Sequence, residues 1–331
     1  MGEKTKKLIE LINEGKTVNQ ISEELNLSQK QVFNYLTMIK NRGFDFYRKY
    51  YSNGDIIYEV KTKYEFINSM STEILGDYTN SELKVVVISD THIGSKYERL
   101  DLLNEVYEYC ISNNINIIFH CGDVIDNSES LKIPVEDIVE YLLKKYPYDS
   151  QILNFITLGN HDLNPLKDYG QDLRIVLNNY RHDLVTLGYT TSMINVGNDI
   201  IALFHPFNGN SYVPNIKTNK IIFQGHSHIF NVPIDMNNQS RQIIYVPSLS
   251  DINIHSASYP SILGVNLMFD NSNLEVATIN QLIYIDNKFT SVNEVTCDFN
   301  KTSKTKARIY TDSRITGENM SQIDKFTKRW S

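Results

Sequence analysis

Five apolar runs in this sequence each end in residues able to hold a cation. LKVVVIS (83–89) is followed by DTHIG, with Asp90 and His92, and INIIFH (115–120) by CGDVID, with Asp123 and Asp126. LNFITL (153–158) leads into GNHD, with Asn160, His161 and Asp162. DIIALF (199–204) leads into His205, and KIIFQ (220–224) into GHSH, with His226 and His228. Each has an ordinary reading when taken singly: Asp90 could cap a helix, GNHD could turn the chain, and His205 before a proline could be a loop residue. Taken in order, carboxylates, imidazoles and one amide collect at strand ends, where open α/β sheets build their sites. The two-residue spacing in DTH and HSH adds to this, because residues i and i+2 of an extended segment point the same way.

Two divalent ions roughly 3.5–4 Å apart can clamp a phosphoryl group and activate water. Ions that close need a bridging carboxylate to offset their repulsion. Neutral imidazoles and an amide oxygen complete each shell without excess negative charge. This mixed nitrogen and oxygen set suits Mn, Fe or Zn better than Mg, which prefers oxygen and water. We expect two divalent ions, Mn foremost, with net positive charge left to attract a phosphate anion.

The set D-x-H, G-D-x-x-D, G-N-H-D, H and G-H-x-H resembles the calcineurin-like metallophosphoesterase superfamily over residues 83–280. The resemblance implies an α/β fold, a four-layer α/β/β/α sandwich. It assigns Asp90, His92, Asp123 and His228 to one ion and Asp123, Asn160, His205 and His226 to the other, with Asp123 bridging. It makes His161 the group that meets the phosphoryl oxygen and protonates the leaving alkoxide. Asp126 would hydrogen-bond His161 and raise its pKa; Asp162 would hold the turn through backbone hydrogen bonds. SDTHIG is similar to the exonuclease-like branch, but the second aspartate, Asp126, and the short remainder after the last β run depart from it. The protein Ser/Thr phosphatase branch carries Arg-Gly after G-D-x-x-D, where this chain has Asn127 and Ser128.

Strand, helix, strand, helix, strand is the pattern expected of residues 83–158, with helices near 98–112 and 134–147, and a β-rich region follows from 182. Before them, residues 3–16 read as a helix, and Val18, Ile21 and Leu25 mark a second. A third opens at the N-cap Ser28 and carries Val32, Leu36 and Ile39 on one side. The aromatic stretch FDFYRKYYSNGDIIYEV has Asn-Gly at its centre, a strong hairpin signal. Helix-turn-helix followed by a hairpin resembles the winged-helix family over residues 1–62. That resemblance implies that the helix from Ser28 to Lys40 enters the DNA major groove, with Lys30, Gln31, Asn34 and Tyr35 as its contacts. Winged helices also dock proteins or dimerise. The expected domains are thus 1–62, a polar connector at 63–82, a catalytic domain at 83–299 and a basic tail at 300–331 ending in a short helix from Ser321.

Charge is unevenly spread: residues 67–299 hold 13 Lys and Arg against 27 Asp and Glu, whereas 1–66 hold 11 against 9 and 300–331 hold 8 against 3. An acidic centre with basic ends fits a cation site flanked by polyanion contacts, although an acidic surface alone would give the same count. Composition at 41% hydrophobic and 21% charged residues describes a globular chain with no membrane partner. The charged start MGEKTKKLIELINEGK and three scattered cysteines suggest a cytoplasmic protein with reduced thiols.

Three functions follow from these readings. One is a DNA-directed nuclease or phosphodiesterase guided by the N-terminal unit. Another is a phosphatase or phosphodiesterase for a small molecule or phosphoprotein, with that unit as a docking module. The third is a DNA-binding regulator whose phosphoesterase domain does not turn over. A homo-oligomer is compatible with all three.

Overall fold

The computed structural model describes residues 3–40, 46–60, 71–126, 130–165, 170–207, 219–233, 241–252, 259–299 and 306–309. Two sheets face each other. The parallel centre of one is β4 (Asn80–Ile88), β5 (Ile117–His120), β6 (Leu153–Leu158) and β7 (Leu184–Tyr189). Its antiparallel side is the meander β12 (Ser261–Asp270), β13 (Asn273–Ile285) and β14 (Lys288–Asp298), with β15 (Lys306–Ile309) at the edge. Because β4 is covered on both faces, its apolar residues run without a break. Val85 and Val87 point between the sheets, and Val86 and Ile88 point toward the helices.

Those helices are α4 (Leu100–Ser112), α5 (Ile138–Lys145) and α6 (Leu173–Tyr180). Leu103, Val106 and Cys110 of α4, Leu142 of α5 and Leu177 of α6 join one buried layer against the sheet. The second sheet runs β11 (Gln242–Tyr245), β10 (Asn219–Gln224), β9 (Asp199–Phe204), β8 (Thr191–Val196), β3 (Ser71–Leu75), β1 (Phe46–Tyr51) and β2 (Ile56–Val60). Phe223 of β10 approaches Phe119 of β5 across the interior, and Tyr50 of β1 meets Phe155 of β6 edge-on at 4.9 Å. Helices, sheet and sheet are the layers seen. On the outer face of β9–β11 the described residues show a small apolar group, Ala202, Phe204, Ile222 and Ile243, and the fourth expected layer is not among them.

The N-terminal elements appear in the order helix, helix, helix, hairpin: α1 (Glu3–Asn13), α2 (Val18–Glu24), α3 (Gln29–Lys40), then β1 and β2. They are not set apart from the catalytic layers. Leu8, Ile21, Val32 and Ile39 belong to the same buried cluster as Phe119, Phe155 and Phe223. The join is made by β3, in the stretch expected to be a polar connector. It pairs in parallel with β1 (Tyr50 opposite Ile74) and with β8 (Ser71 opposite Met193). STEIL has only two adjacent apolar residues, Ile74 and Leu75, and no alternation, so two flanking strands rather than its own pattern decide its conformation. The helix α6 lies outside the expected elements: Leu173, Val176 and Leu177 have helical i, i+3, i+4 spacing, but over only eight residues. Within the tail, β15 pairs with β14, while the helix expected from Ser321 lies outside the described residues.

Candidate metal centre

Asp90 and His92 follow β4, Asp123 and Asp126 follow β5, Asn160 and His161 follow β6, His205 follows β9, and His226 and His228 follow β10. The two sheets thereby aim five strand ends at one place. The backbone there is not extended. Asp90, His92, Asp123, His226 and His228 all have positive φ, between 44° and 73°. The alternation argument for DTH and HSH therefore fails, and the two side chains of each pair converge because both residues turn left-handed. Such non-glycine conformations cost on the order of 1 kcal/mol each and cluster at functional sites. Glycine is required beside them. A Cβ on Gly159 would lie 2.6 Å from the Asp123 nitrogen and closer still to its carboxylate, and Gly122 has φ of 97° with His205 against it.

Two groups of ligand atoms form, each with its atoms within 4.8 Å of one another: Asp90, His92 and His228, and Asp123, His205 and His226. His228 Nε2 is 3.1 Å from Asp90 Oδ1, and His205 Nε2 is 3.1 Å from Asp123 Oδ2. Asn160 Oδ1 faces His205 Nε2 at 3.2 Å and His226 Nδ1 at 3.1 Å. A third group, His92, Asp123 and His161, spans the space between the first two. All the residues expected as ligands are therefore gathered.

Their hydrogen bonding fits cations. Both ring nitrogens of His92 are buried with no hydrogen-bond partner among the described residues, and Asp90 Oδ1 is buried against the His228 ring. His205 Nδ1 lies 2.6 Å from the Cys121 carbonyl and must donate to it, so the neutral ring turns a lone pair on Nε2 toward two further acceptors. A cation in that gap satisfies all three groups. Without one, a proton must. Burial lowers the pKa of His205, but the Asp123 carboxylate and the other acceptors override burial and raise it to about 9. Burial likewise opposes ionisation of Asp90, and His228 overrides it and holds the carboxyl well below its usual range. Burial, reinforced by the neighbouring His205, pushes His226 down.

His161 stands apart from the ligand pairs and is a quarter exposed, whereas Asp126 beneath it is fully buried. Its Nδ1 is 3.1 Å from Asp126 Oδ1, and Asp126 Oδ2 accepts from Ser130 Oγ. Burial disfavours the charged ring, but Asp126 and the nearby carboxylates outweigh burial and raise the His161 pKa. The backbone nitrogen of His161 donates to Asp123 Oδ1 at 2.9 Å, tying the turn to the shared carboxylate. Asp162 is buried and accepts from the amides of Gly159, Val124 and Ile125 at 2.8, 3.2 and 3.0 Å. It therefore staples the loop after β6 to the loop after β5.

Residues not singled out in the sequence support these. Ser248 Oγ donates to the Asp90 carbonyl at 2.9 Å, and the Ile252 carbonyl lies 3.4 Å from His228 Nδ1. Serines in loops give no local signal of such a role. Away from the centre, Lys30, Gln31 and Asn34 are exposed on α3 and Tyr35 is half-buried. Gln31 is already engaged: its Oε1 accepts from the Ser28 nitrogen at 2.8 Å, and Ser28 Oγ accepts from the Gln31 nitrogen, a reciprocal helix cap. Phe33 of α3 stacks on His182 at 4.2 Å, just before β7. Since β7 is parallel to β6, this end of α3 lies at the amino ends of the strands, opposite the metal centre. Six strand residues separate the two ends, about 20 Å.

Residues 83–230 match the family described as calcineurin-like phosphoesterase. No curated protein matches the chain. Among solved structures, a dimetal phosphatase from Danio rerio is 10% identical, with 65% of this chain and 98% of that one covered and a TM-score of 0.40. A Vps29 single mutant from Entamoeba histolytica is 14% identical, with coverage of 69% and 99% and a TM-score of 0.35. A nuclease named MPE from Pseudomonas putida is 16% identical, with coverage of 57% and 85% and a TM-score of 0.31. The chain thus carries a calcineurin-like phosphoesterase domain and is a metal-dependent phosphoester hydrolase. Among the described residues, no helix is long and apolar enough to cross a membrane.

Proposed function

We propose that this domain hydrolyses a phosphodiester at two divalent ions, and that the diester is DNA. Asp90, His92, Asp123 and His228 would hold one ion and Asp123, Asn160, His205 and His226 the other, with Mn as the metal. Ions bound there would polarise the phosphoryl oxygens and lower the pKa of water. The single observation that carries the reading is the pair of ligand groups, Asp90–His92–His228 and Asp123–His205–His226, linked by a third in which His92 and Asp123 come together.

The chain's own groups supply the rest. His161, held by Asp126 with its proton retained, faces the space between the ligand groups and donates to the departing oxygen. Ring and carboxylate act as one unit, since Asp126 fixes Nδ1 and leaves Nε2 for the substrate. Diester rather than monoester follows from charge. After G-D-x-x-D the chain has Asn127 and Ser128 in place of Arg-Gly, and a diester monoanion asks for less cationic charge than a monoester dianion. DNA as the substrate is supported by Lys30 and Asn34, exposed side by side on α3.

A second reading is favoured by the placement of α3. Its exposed end lies at the strand ends opposite the metal centre, and its apolar side is part of the common core. A docking module for a partner would suit that placement, with a small diester or a phosphoprotein as substrate.

The test uses the whole chain, because residues 1–62 supply two strands of the second sheet. Wild type and a Lys30→Ala, Asn34→Ala variant would be given Mn with a small aryl diester and with end-labelled single- and double-stranded DNA. Equal hydrolysis of the small ester, with DNA cleavage weakened in the variant, is the expected result. DNA left whole by both proteins overturns the DNA reading, and no turnover of either ester overturns the diester reading.

A further inference from the structure

We infer that His120, acting through Thr91, is a positioning residue that fixes the spacing between Asp123 and the Asp90–His92 pair. This rests on the two-ion reading above. His120 is the last paired residue of β5, opposite Ile88 and Ile156, so its backbone is held by the sheet. Its ring is fully buried, and Thr91, between Asp90 and His92, is nearly so.

The direction of each hydrogen bond can be worked out. The Gly122 amide lies 3.2 Å from His120 Nδ1 and can only donate, so Nδ1 carries the lone pair. The proton of the neutral ring is then on Nε2, 3.1 Å from Thr91 Oγ1. Thr91 Oγ1 accepts that proton and donates its own to the Val124 carbonyl at 2.9 Å. The chain Gly122, His120, Thr91, Val124 therefore has one allowed polarity and no spare donor. Burial keeps the ring neutral, with its pKa pushed down to about 3.

The two loops joined by this chain carry Asp90 and His92, two ligands of one proposed ion, and the carboxylate shared with the other. Backbone bonds also link them: Asp90 to the Gly122 carbonyl at 2.9 Å, His92 to the Asp123 carbonyl at 3.1 Å and Ile93 to the Val124 carbonyl at 2.9 Å. Asp90, His92, Gly122 and Asp123 have left-handed φ of 53°, 44°, 97° and 53°. Backbone bonds between residues so placed leave the loops free to relax toward ordinary conformations together. The His120–Thr91 strut, rooted in regular β5, removes that freedom. It touches neither proposed ion, and its effect is to set the distance across which Asp123 must reach.

The test is a titration with Mn²⁺ alone, read by electron paramagnetic resonance. Isolated Mn²⁺ gives a six-line spectrum, and two ions bridged by a carboxylate give a broad exchange-coupled one. Wild type is expected to bind two ions and show the coupled spectrum. Thr91→Val keeps the shape of the side chain but loses the hydroxyl. It is expected to bind the second ion about 10–100-fold more weakly, the range for partners that orient ligands, and to lose the coupled spectrum. Thr91→Ser is expected to restore both. His120→Gln keeps a donor toward Thr91 but loses the ring, and is expected to weaken the second ion as well. Coupled, wild-type binding by Thr91→Val overturns the inference, as does equal weakening of both ions together with a lowered melting temperature. Failure of the wild-type chain to bind two ions overturns the two-ion reading and the inference with it.

Discussion

Replacing Asp162 separates the scaffold of the metal centre from its ligands. Asp162 is fully buried and its carboxylate receives three amide protons, two on Oδ2 from Val124 and Gly159 and one on Oδ1 from Ile125. Asp162→Ala strands all three donors, and a buried unsatisfied donor costs about 1–3 kcal/mol. Relief of repulsion with Asp123 offsets part of this, because burial and Asp123 raise the Asp162 pKa to about 6. A net loss of roughly 2–5 kcal/mol follows. Asp162→Asn can place its carbonyl at the Oδ2 position and keep two donors, losing only Ile125, for about 1–2 kcal/mol. At roughly 2.1 cal/mol/K per residue, 331 residues unfold with about 0.7 kcal/mol/K, so each kcal/mol lowers Tm by about 1.4 °C. The alanine variant should melt about 3–7 °C below wild type and the asparagine variant about 1–3 °C below, in differential scanning calorimetry with Mn present. An alanine variant within 1 °C of wild type, or an asparagine variant as damaged as alanine, would refute the staple.

His161→Ala should keep both ions bound while turnover falls by about 10²–10⁴, checked by metal analysis beside kinetics; a parallel loss of metal would make His161 a ligand. The activity of wild type should fall as pH rises through the raised pKa of His161, because the donor loses its proton. Asp126→Asn removes the carboxylate that favours the protonated ring. The alkaline limb of its kcat profile should therefore move to lower pH, and an unmoved limb would sever the pair. Lys30→Ala should flatten the salt dependence of DNA binding by about one unit of log–log slope if Lys30 contacts a phosphate, measured by fluorescence anisotropy.

Much of the centre could be read from the sequence, because each ligand follows an apolar run that had to be a strand. LNFITL spans β6 residue for residue, and Asn160 then falls where the chain leaves the sheet. The geometry of the ligands could not be read. DTH looks extended by its spacing, yet Asp90 and His92 are left-handed, a conformation held by long-range bonds to β5 and the loop after it, those of Thr91 included, rather than by local preference. His120 illustrates the same limit. Within INIIFH it looks like the polar end of a buried strand, and only the pairing of β4 with β5 places Thr91 over its ring. The merging of the N-terminal unit with the catalytic layers was hidden for a related reason. β3 has little apolar pattern of its own, and its parallel partners lie on either side of it in the sheet but far away in sequence. Long-range pairing decided what local pattern could not.

Whether two cations share Asp123 can be seen in crystals grown with Mn²⁺, from an anomalous difference map. Two peaks roughly 3.5–4 Å apart are expected, one against Asp90, His92 and His228, the other against Asn160, His205 and His226, with the Asp123 carboxylate between them. A single peak, or two peaks with Asp123 bound to only one, would contradict the sharing.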